Sequence, residues 1–318
     1  MPVFTGMYRL HVLIRTMTDD SDICNRQERL PSWLKKKKDL RELRPLKLRL
    51  RSACLSTVCE EARCPNITEC FKSPTATFMI LGDICTRNCA FCSVKKGIPS
   101  DHNDQEPEEV ARAAKEIGLD HVVITSVTRD DLADKGASAF ARTIEQIRKQ
   151  LPGSSVEVLT PDFSGDTSLA GIVFDQKPDV FNHNVETVER LYGCVRPGAH
   201  LETSLCLLKA AREYDDSLVV KSGFMVGLGE TEEEIHELIL SLHRAGCDII
   251  TIGQYLQPTK NQVPVERYWP PERFALWSEL AKNAGIRYVV SGPLIRSSYQ
   301  AKEALRRIRE ARGRTGNE

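Results

Sequence analysis

The sequence predicts an α/β fold arranged as a partial or complete (β/α) barrel. Three observations predict it. After Pro74, short β-rich runs alternate with amphipathic helical periods about six or seven times, which implies a parallel sheet. Polar residues gather where the strand candidates end, as they do around the mouth of a barrel. A chain of 318 residues is also long enough to bury one core of barrel size.

The first 26 or so residues show no sustained period. Leu10-His11-Val12-Leu13-Ile14 is too short for a signal-peptide core, and no run approaches the roughly 18 apolar residues of a membrane span. A flexible leader is expected over residues 1–30, with Met7 or Met17 as alternative starts. From Lys35 to Arg51 nine Lys or Arg stand against two acids, with leucines between them, and Pro45 interrupts any single helix. A solvated face is the plain reading; a docking patch for an acidic partner is the other.

Within an N-terminal extension over residues 31–75 lies a triad of thiols, Cys59, Cys64 and Cys70, spaced C-x4-C-x5-C. A segment this short can wrap one inorganic centre. Cys54 is a candidate fourth ligand, and a different ligand from far along the chain is the alternative.

The barrel body is expected over residues 76–290. Strand candidates are Thr77 to Leu81, His121 to Thr125, Val156 to Leu159, Val180 to Asn182, Leu218 to Lys221, Ile249 to Ile252 and Tyr288 to Val290. Helical periods fall near 106–117, 137–150, 166–175, 184–192, 201–214, 231–245 and 271–284. The clearest starts at Thr231, where Glu234 completes a capping box and Ile235, Leu238, Ile239 and Leu242 form one stripe. Gly227-Leu228-Gly229-Glu230 lacks the third glycine of a dinucleotide fingerprint and reads as the turn before that helix. Residues 291–318 form a C-terminal extension, with a turn and a serine N-cap within Ser291 to Tyr299 and a basic tail from Arg306 to Arg314.

Directly after the first strand comes Cys85-Thr86-Arg87-Asn88-Cys89-Ala90-Phe91-Cys92, a second triad spaced C-x3-C-x2-C. Iron–sulfur clusters normally take four thiolates and tetrahedral zinc four protein ligands, so three leave one metal position open. A structural zinc knuckle is the bland alternative, and plain packing of buried cysteines is another. Six of the eleven cysteines fall in the two triads, which suits metal binding in a reducing compartment rather than a disulfide scaffold. A cytoplasmic protein is expected. Cys194, Cys206 and Cys247 stand alone and read as packing residues. Lys plus Arg and Asp plus Glu are equal at 44 each, so no global field recommends nucleic acid or membrane as a partner.

Other strand ends carry Thr125, Ser126, Thr128, Arg129, Asp130 and Asp131, then Pro161-Asp162, then Asn182-His183-Asn184. Further polar loops run from Gly223 to Glu230 and from Gln254 to Pro258. Each residue could instead cap its loop. His183 reads either as a ligand or base or as a hydrogen-bonding wall residue; its asparagine neighbours favour cofactor binding over acid/base work.

The C-x3-C-x2-C triad resembles that of the radical S-adenosylmethionine enzymes. Together with Cys59-x4-Cys64-x5-Cys70 and Arg296-Ser297-Ser298-Tyr299, it resembles lipoyl synthases, over about Trp33 to Tyr299. The likeness includes Val58-Cys59-Glu60-Glu61-Ala62, Ala76 to Gly82, Val122 to Val127, Phe181-Asn182-His183-Asn184, Val195 to Ala199 and Gly253 to Pro258. It implies a partial barrel of the radical enzyme type with about six to seven parallel strands, whose extensions carry an auxiliary iron–sulfur cluster. By resemblance, Cys85, Cys89 and Cys92 hold a 4Fe-4S cluster that binds S-adenosylmethionine. Cys59, Cys64 and Cys70 hold the auxiliary 4Fe-4S cluster, completed by Ser298, with Ser297 as the second choice. Phe91, Thr125, Ser126, Arg129, Asn182, His183 and Asn184 are the expected cofactor contacts, and Arg196 is a candidate for the substrate entrance.

The implied reaction is sulfur transfer. Unactivated C–H bonds of an octanoyl chain offer no acidic proton, so acid/base groups cannot open them. The resemblance supplies a 5′-deoxyadenosyl radical instead, removing hydrogen first from carbon 6 and then from carbon 8, at the cost of two S-adenosylmethionine molecules. The auxiliary cluster is consumed as sulfur donor. Implied partners are octanoylated lipoyl carrier domains of dehydrogenase-complex acyltransferase subunits and of the glycine cleavage H protein. A reductant such as flavodoxin or ferredoxin and an iron–sulfur carrier complete the set. The alternatives are another sulfur-inserting enzyme of the superfamily, such as a biotin synthase or methylthiotransferase, or a non-catalytic iron–sulfur or zinc protein.

Overall fold

The computed structural model describes residues 30–35, 55–61, 64, 66–67, 76–100 and 103–315. The chain divides into two units, Met1–Lys35 and Lys36–Glu318. In the first, Ser32–Leu34 forms one 3-10 turn after Pro31. The expected leader, nearly all of the basic stretch to Arg51, and Cys70 lie outside the described residues.

The second unit opens with β1 (Ser56–Thr57) and the short helix α1 (Val58–Glu61), which contains Cys59. β1 pairs antiparallel with β2 (Thr77–Ile80), Thr57 opposite Phe78. β3 (Ile84–Cys85) and β4 (Lys95–Lys96) make a separate two-stranded sheet at the cysteine loop. A regular alternation follows: α2 (Glu106–Ile117), β5 (His121–Ser126), α3 (Ala137–Gln150), β6 (Ser155–Leu159), α4 (Thr167–Phe174) and β7 (Val180–Asn182). Then come α5 (Tyr192–Val195), α6 (Leu201–Tyr214), β8 (Val219–Val226), α7 (Glu232–Arg244), β9 (Ile249–Gln254), α8 (Pro271–Asn283), β10 (Tyr288–Gly292) and α9 (Ala301–Thr315).

The main sheet runs β1-β2-β5-β6-β7-β8-β9-β10, and every pairing after the first is parallel. Its seven parallel strands are bounded by edges at β1 and β10, so the barrel is partial. One strand face packs on the helices: Val122, Ile124, Val156, Val158, Phe181, Val220 and Ile250 share a core with Ile144, Val173, Leu208 and Ile235. Burial on both faces explains why these strands read as continuous apolar runs rather than clean alternations. α7 starts as expected, with Glu234 N donating to Thr231 Oγ1 at 3.3 Å and Thr231 N to Glu234 Oε2 at 2.8 Å.

Three elements differ from expectation. The expected helix over 184–192 is absent; Glu186 takes a left-handed φ of 66° and bridges to Phe224, and only a 3-10 turn at Glu189–Leu191 and α5 follow. The strand expected to stop at Lys221 continues to Val226. Gly223 permits this, since a Cβ there would lie 2.2 Å from Thr251 Oγ1. The basic tail is α9, whose Ala304, Leu305 and Ile308 seal the lower end of the barrel against Val180, Val219 and Ile249. Its cations pair with acids that precede the strands: Lys302 with Asp120, Arg309 with Asp179, and Arg312 with Asp248. Of the lone cysteines, Cys247 is buried as expected, whereas Cys194 and Cys206 are exposed.

Candidate active site

Loops at the C-terminal strand ends form the upper mouth of the barrel, and the first of them carries Cys85, Cys89 and Cys92. Two left-handed residues, Leu81 and Gly82 (φ 67° and 87°), turn the chain out of β2. The loop is then tied to four other segments. Thr86 N and Oγ1 donate to Thr128 O at 3.1 and 3.0 Å, and Ala90 N donates to Val195 O at 2.9 Å. Val263 N donates to Ala90 O at 3.1 Å, and Gln262 Nε2 to Cys92 O at 3.2 Å. Ser93 Oγ donates to Glu61 O at 2.6 Å, which ties the end of α1 to this loop.

Arg87, between the first two thiols, is the firmest anchor. Its Nε and Nη2 grip Asp130 at 2.9 and 3.0 Å, and its Nη1 reaches Asp162 at 2.5 Å. Bidentate, charge-assisted contacts of this kind are among the stronger hydrogen bonds. Burial works against the Asp162 carboxylate, but the hydrogen bond and charge of Arg87 outweigh it and hold the group at about 2. The same arginine thereby fixes the β6 loop, where Phe163 and Ser164 both have positive φ and Asp162 accepts from Ser164 N at 2.9 Å. The triad is thus held in shape by protein contacts alone.

The thiols themselves are half-buried. Burial raises Cys89 against the opposing pull of Arg196, and pushes Cys92 up to about 11 despite a hydrogen bond from Val94 N. Such thiols stay protonated without metal, and binding a metal releases their protons. Among the described residues, no three cysteine, histidine or carboxylate side chains converge on one point as they would around a single ion.

Of the other triad, Cys64 is described, and it is drawn to the far end of the chain. Asn66 Nδ2 donates to Leu294 O at 2.5 Å across 228 residues. Arg296 is half-buried, and the loss of water around it lowers its pKa while the charge of Cys64 opposes that shift. Ser297 and Ser298 follow in the turn before α9, both half-buried.

The expected cofactor residues separate into two groups. His183 is 1% exposed with both ring nitrogens engaged, Nδ1 with Thr160 O and Nε2 with Ser204 Oγ, each at 2.9 Å. Arg129 is 3% exposed and bound to Asp131 and to Leu81 O. Both are engaged by internal partners that brace the wall. Phe91 packs against the core, and Thr125 Oγ1 donates to Leu159 O at 2.8 Å. By contrast, Ser126 Oγ, Asn182 Oδ1 and Asn184 Oδ1 are buried without a partner, as is Thr160 Oγ1 beside them on the β6 end. Arg196, the candidate entrance residue, is buried, stacks on Tyr192 and donates through Nη1 to Asn184 O and Val185 O at 3.2 Å, while its Nε has no hydrogen-bond partner. Glu186 went unread from the sequence, yet its carboxyl, raised by burial, lies near Arg196 and is hydrogen-bonded to Asn184.

The buried groups predict a two-step acid response. His183 is pushed down to about 4, by burial and then by the charge of Arg196, from an ordinary 6.5. The unfolded chain therefore binds its proton first, so the stability this site contributes is full above about pH 6.5 and is lost as pH falls toward 4. Asp162, and Glu157 held at about 2 by Lys221 against its burial, lose theirs below pH 4. Thermal midpoints measured from pH 8 to 3 are expected to decline in these two stages, and His183→Gln to flatten the first. An unchanged slope between pH 6.5 and 4 would show that His183 is not the group titrating.

Residues 79–242 match the model of the Radical SAM superfamily. A lipoyl synthase of Rubrobacter xylanophilus is 54% identical over 283 residues, 87% of this chain and 88% of its own. The chain belongs to the lipoyl synthase family. A second lipoyl synthase, from Caldanaerobacter subterraneus, is 52% identical over 87% of this chain and 97% of its own. Among solved structures, Streptococcus suis SuiB bound to S-adenosylmethionine superposes with a TM-score of 0.53 over 71% of this chain and 54% of that one, at 13% identity. Methylornithine synthase (PylB) does so with a TM-score of 0.50 over 80% and 82%, at 14% identity. At such identities the likeness concerns the fold.

As a lipoyl synthase, the protein is a radical sulfurtransferase that uses S-adenosylmethionine and 4Fe-4S clusters, one of them auxiliary. It acts on an octanoylated carrier and draws on a reductant. The residues present suit these groups: soft thiols in a preformed loop match iron–sulfur ligation, and orphaned polar atoms on adjacent strand ends match a polar ligand. No helix among the described residues is long and apolar enough to cross a membrane.

Proposed function

We propose that Cys85, Cys89 and Cys92 hold the cluster that binds S-adenosylmethionine, and that Cys59, Cys64, Cys70 and Ser298 hold the auxiliary one. The observation that supports this division is the placing of Cys64: Cys85, Cys89 and Cys92 lie on the Arg87-anchored loop, while Asn66, two residues after Cys64, is bonded to Leu294 beside the Arg296 turn. When bound, these groups supply a 5′-deoxyadenosyl radical and the two sulfur atoms added at carbons 6 and 8 of the octanoyl chain. The protein's part is to bind, orient and exclude water. Arg87 keeps the thiols in place, while Ser126, Asn182 and Asn184 offer free polar atoms to the cofactor. His183, Arg129 and Arg196 hold the wall behind them. Ser298 supplies a hard oxygen to a soft centre, a weak bond suited to a cluster that comes apart.

The body over 76–290 houses the radical step, and segments 31–75 and 291–318 supply the sulfur source. The carriers are lipoyl domains of dehydrogenase-complex acyltransferase subunits and the glycine cleavage H protein. Reduction comes from a flavodoxin or ferredoxin, and an iron–sulfur carrier rebuilds the consumed cluster, in the cytoplasm. The test is direct. With reductant, S-adenosylmethionine and an octanoyl-lysine peptide, the protein is expected to yield lipoyl peptide with about two 5′-deoxyadenosines per product, one for each hydrogen removed. Deoxyadenosine without sulfur insertion would reject the assigned sulfur source.

A further inference from the structure

Inside the barrel, above the apolar floor that α9 completes, sits a buried ion pair that the reaction does not use. Glu157 of β6 and Lys221 of β8 are each 1% exposed, with Nζ 2.8 Å from Oε1. Asn182, at the end of β7 between them, donates its Nδ2 to the same Oε1 at 3.2 Å. Oε2 has no hydrogen-bond partner and lies 3.8 Å from His121 Nε2, whose ring is held through Nδ1 at 2.8 Å from Ser155 Oγ. Taking two charges out of water is costly, and an apolar pair of similar volume is often as stable or more so. Stability alone therefore does not account for the pair.

Its geometry suggests another use. An ionised carboxylate only accepts hydrogen bonds, so it obliges Asn182 to turn its NH2 inward. The amide oxygen must then face the other way, and there it is buried without a partner. Lys221 keeps the carboxylate charged despite its burial. Two residues on, Asn184 stands in the same relation to Glu186, with its own amide oxygen unpartnered. Buried polar atoms without partners are rare, and these two belong to residues two apart at one strand end.

We propose that Glu157 and Lys221 are positioning residues that fix the Asn182 amide so that its oxygen accepts a hydrogen bond from a hydroxyl or ammonium group of bound S-adenosylmethionine. This rests on the reading of the barrel mouth as the cofactor site.

Equilibrium binding of S-adenosylmethionine to the anaerobically reconstituted protein tests it. The Glu157→Gln/Lys221→Met variant removes both charges at nearly constant volume. It is expected to keep its thermal midpoint within a few degrees yet bind about tenfold more weakly, the order of effect of one lost hydrogen bond. Adding Asn182→Asp to that variant presents an oxygen whichever way the side chain turns, and binding is expected to recover to within about threefold of wild type. A pair with a purely structural role would show no such rescue. Wild-type affinity in the double variant, or a loss that Asn182→Asp leaves unrepaired, would overturn the proposal. Should the double variant not fold, Asn182→Ala alone decides: a tenfold loss supports the aimed oxygen, and unchanged affinity removes it. A wild-type protein that neither binds nor cleaves S-adenosylmethionine would instead remove the reading of the mouth.

Discussion

The Cys64→Ala protein is expected to cleave S-adenosylmethionine at close to the wild-type rate and to form no lipoyl product. The reason lies in where the chain carries this thiol. The segment of Cys64 and Asn66 is hydrogen-bonded to Leu294 and faces Arg296, whereas the Cys85 loop is held by Thr128, Asp130, Asp162, Val195 and Val263. Ser93 also ties the loop to Glu61, but among the described residues no hydrogen bond that shapes the Cys85 loop is made by Cys64. Under the proposed assignment, losing one soft ligand would leave a serine oxygen and two thiolates for the auxiliary cluster, too little to retain it against chelation. Iron is expected to fall from about eight to about four per chain, with sulfur insertion lost and deoxyadenosine still formed. Loss of cleavage together with insertion would mean that the two triads do not divide the work.

Cys89→Ala is the converse and carries the larger rate effect. Deoxyadenosine formation is expected to drop by at least about a thousandfold, because the protein's own groups cannot replace the chemistry its cofactors supply. The fold is expected to survive. Cys89 is half-buried, and the loop around it is fixed by Arg87, Thr86 and Ala90 rather than by the thiol. The metal-free variant should therefore melt within a few degrees of the metal-free wild type, and the reconstituted variant should keep about four irons per chain. Residual cleavage above a few per cent would place the radical cluster on other residues.

Much of the body was legible. The periods at 106–117, 137–150 and 201–214 match α2, α3 and α6, because an amphipathic helix must repeat its apolar residues to cover a sheet. The 184–192 period failed where Glu186 is held in a left-handed conformation by backbone bonds to Gly223 and Met225. Those partners lie about forty residues away, and no local pattern announces them. α9 was hidden differently: the dense charges of Arg306, Arg307, Arg309 and Arg312 drew attention from the period of Ala301, Ala304, Leu305 and Ile308.

The candidate site divides along the same line. The sequence by itself determined the donor chemistry, since three soft thiols in a span of eight residues after the first strand form one loop in any barrel built from these repeats. It also determined that polar side chains would crowd the other strand ends. Which of those side chains are available was decided by the tertiary structure. Arg129 and His183 are engaged by internal partners, while Ser126, Asn182, Asn184 and the Nε of Arg196 retain free atoms. The physical reason is that a polar atom is free or engaged according to what a neighbouring strand brings within 3 Å, and such neighbours can be 64 residues away, as Lys221 is from Glu157.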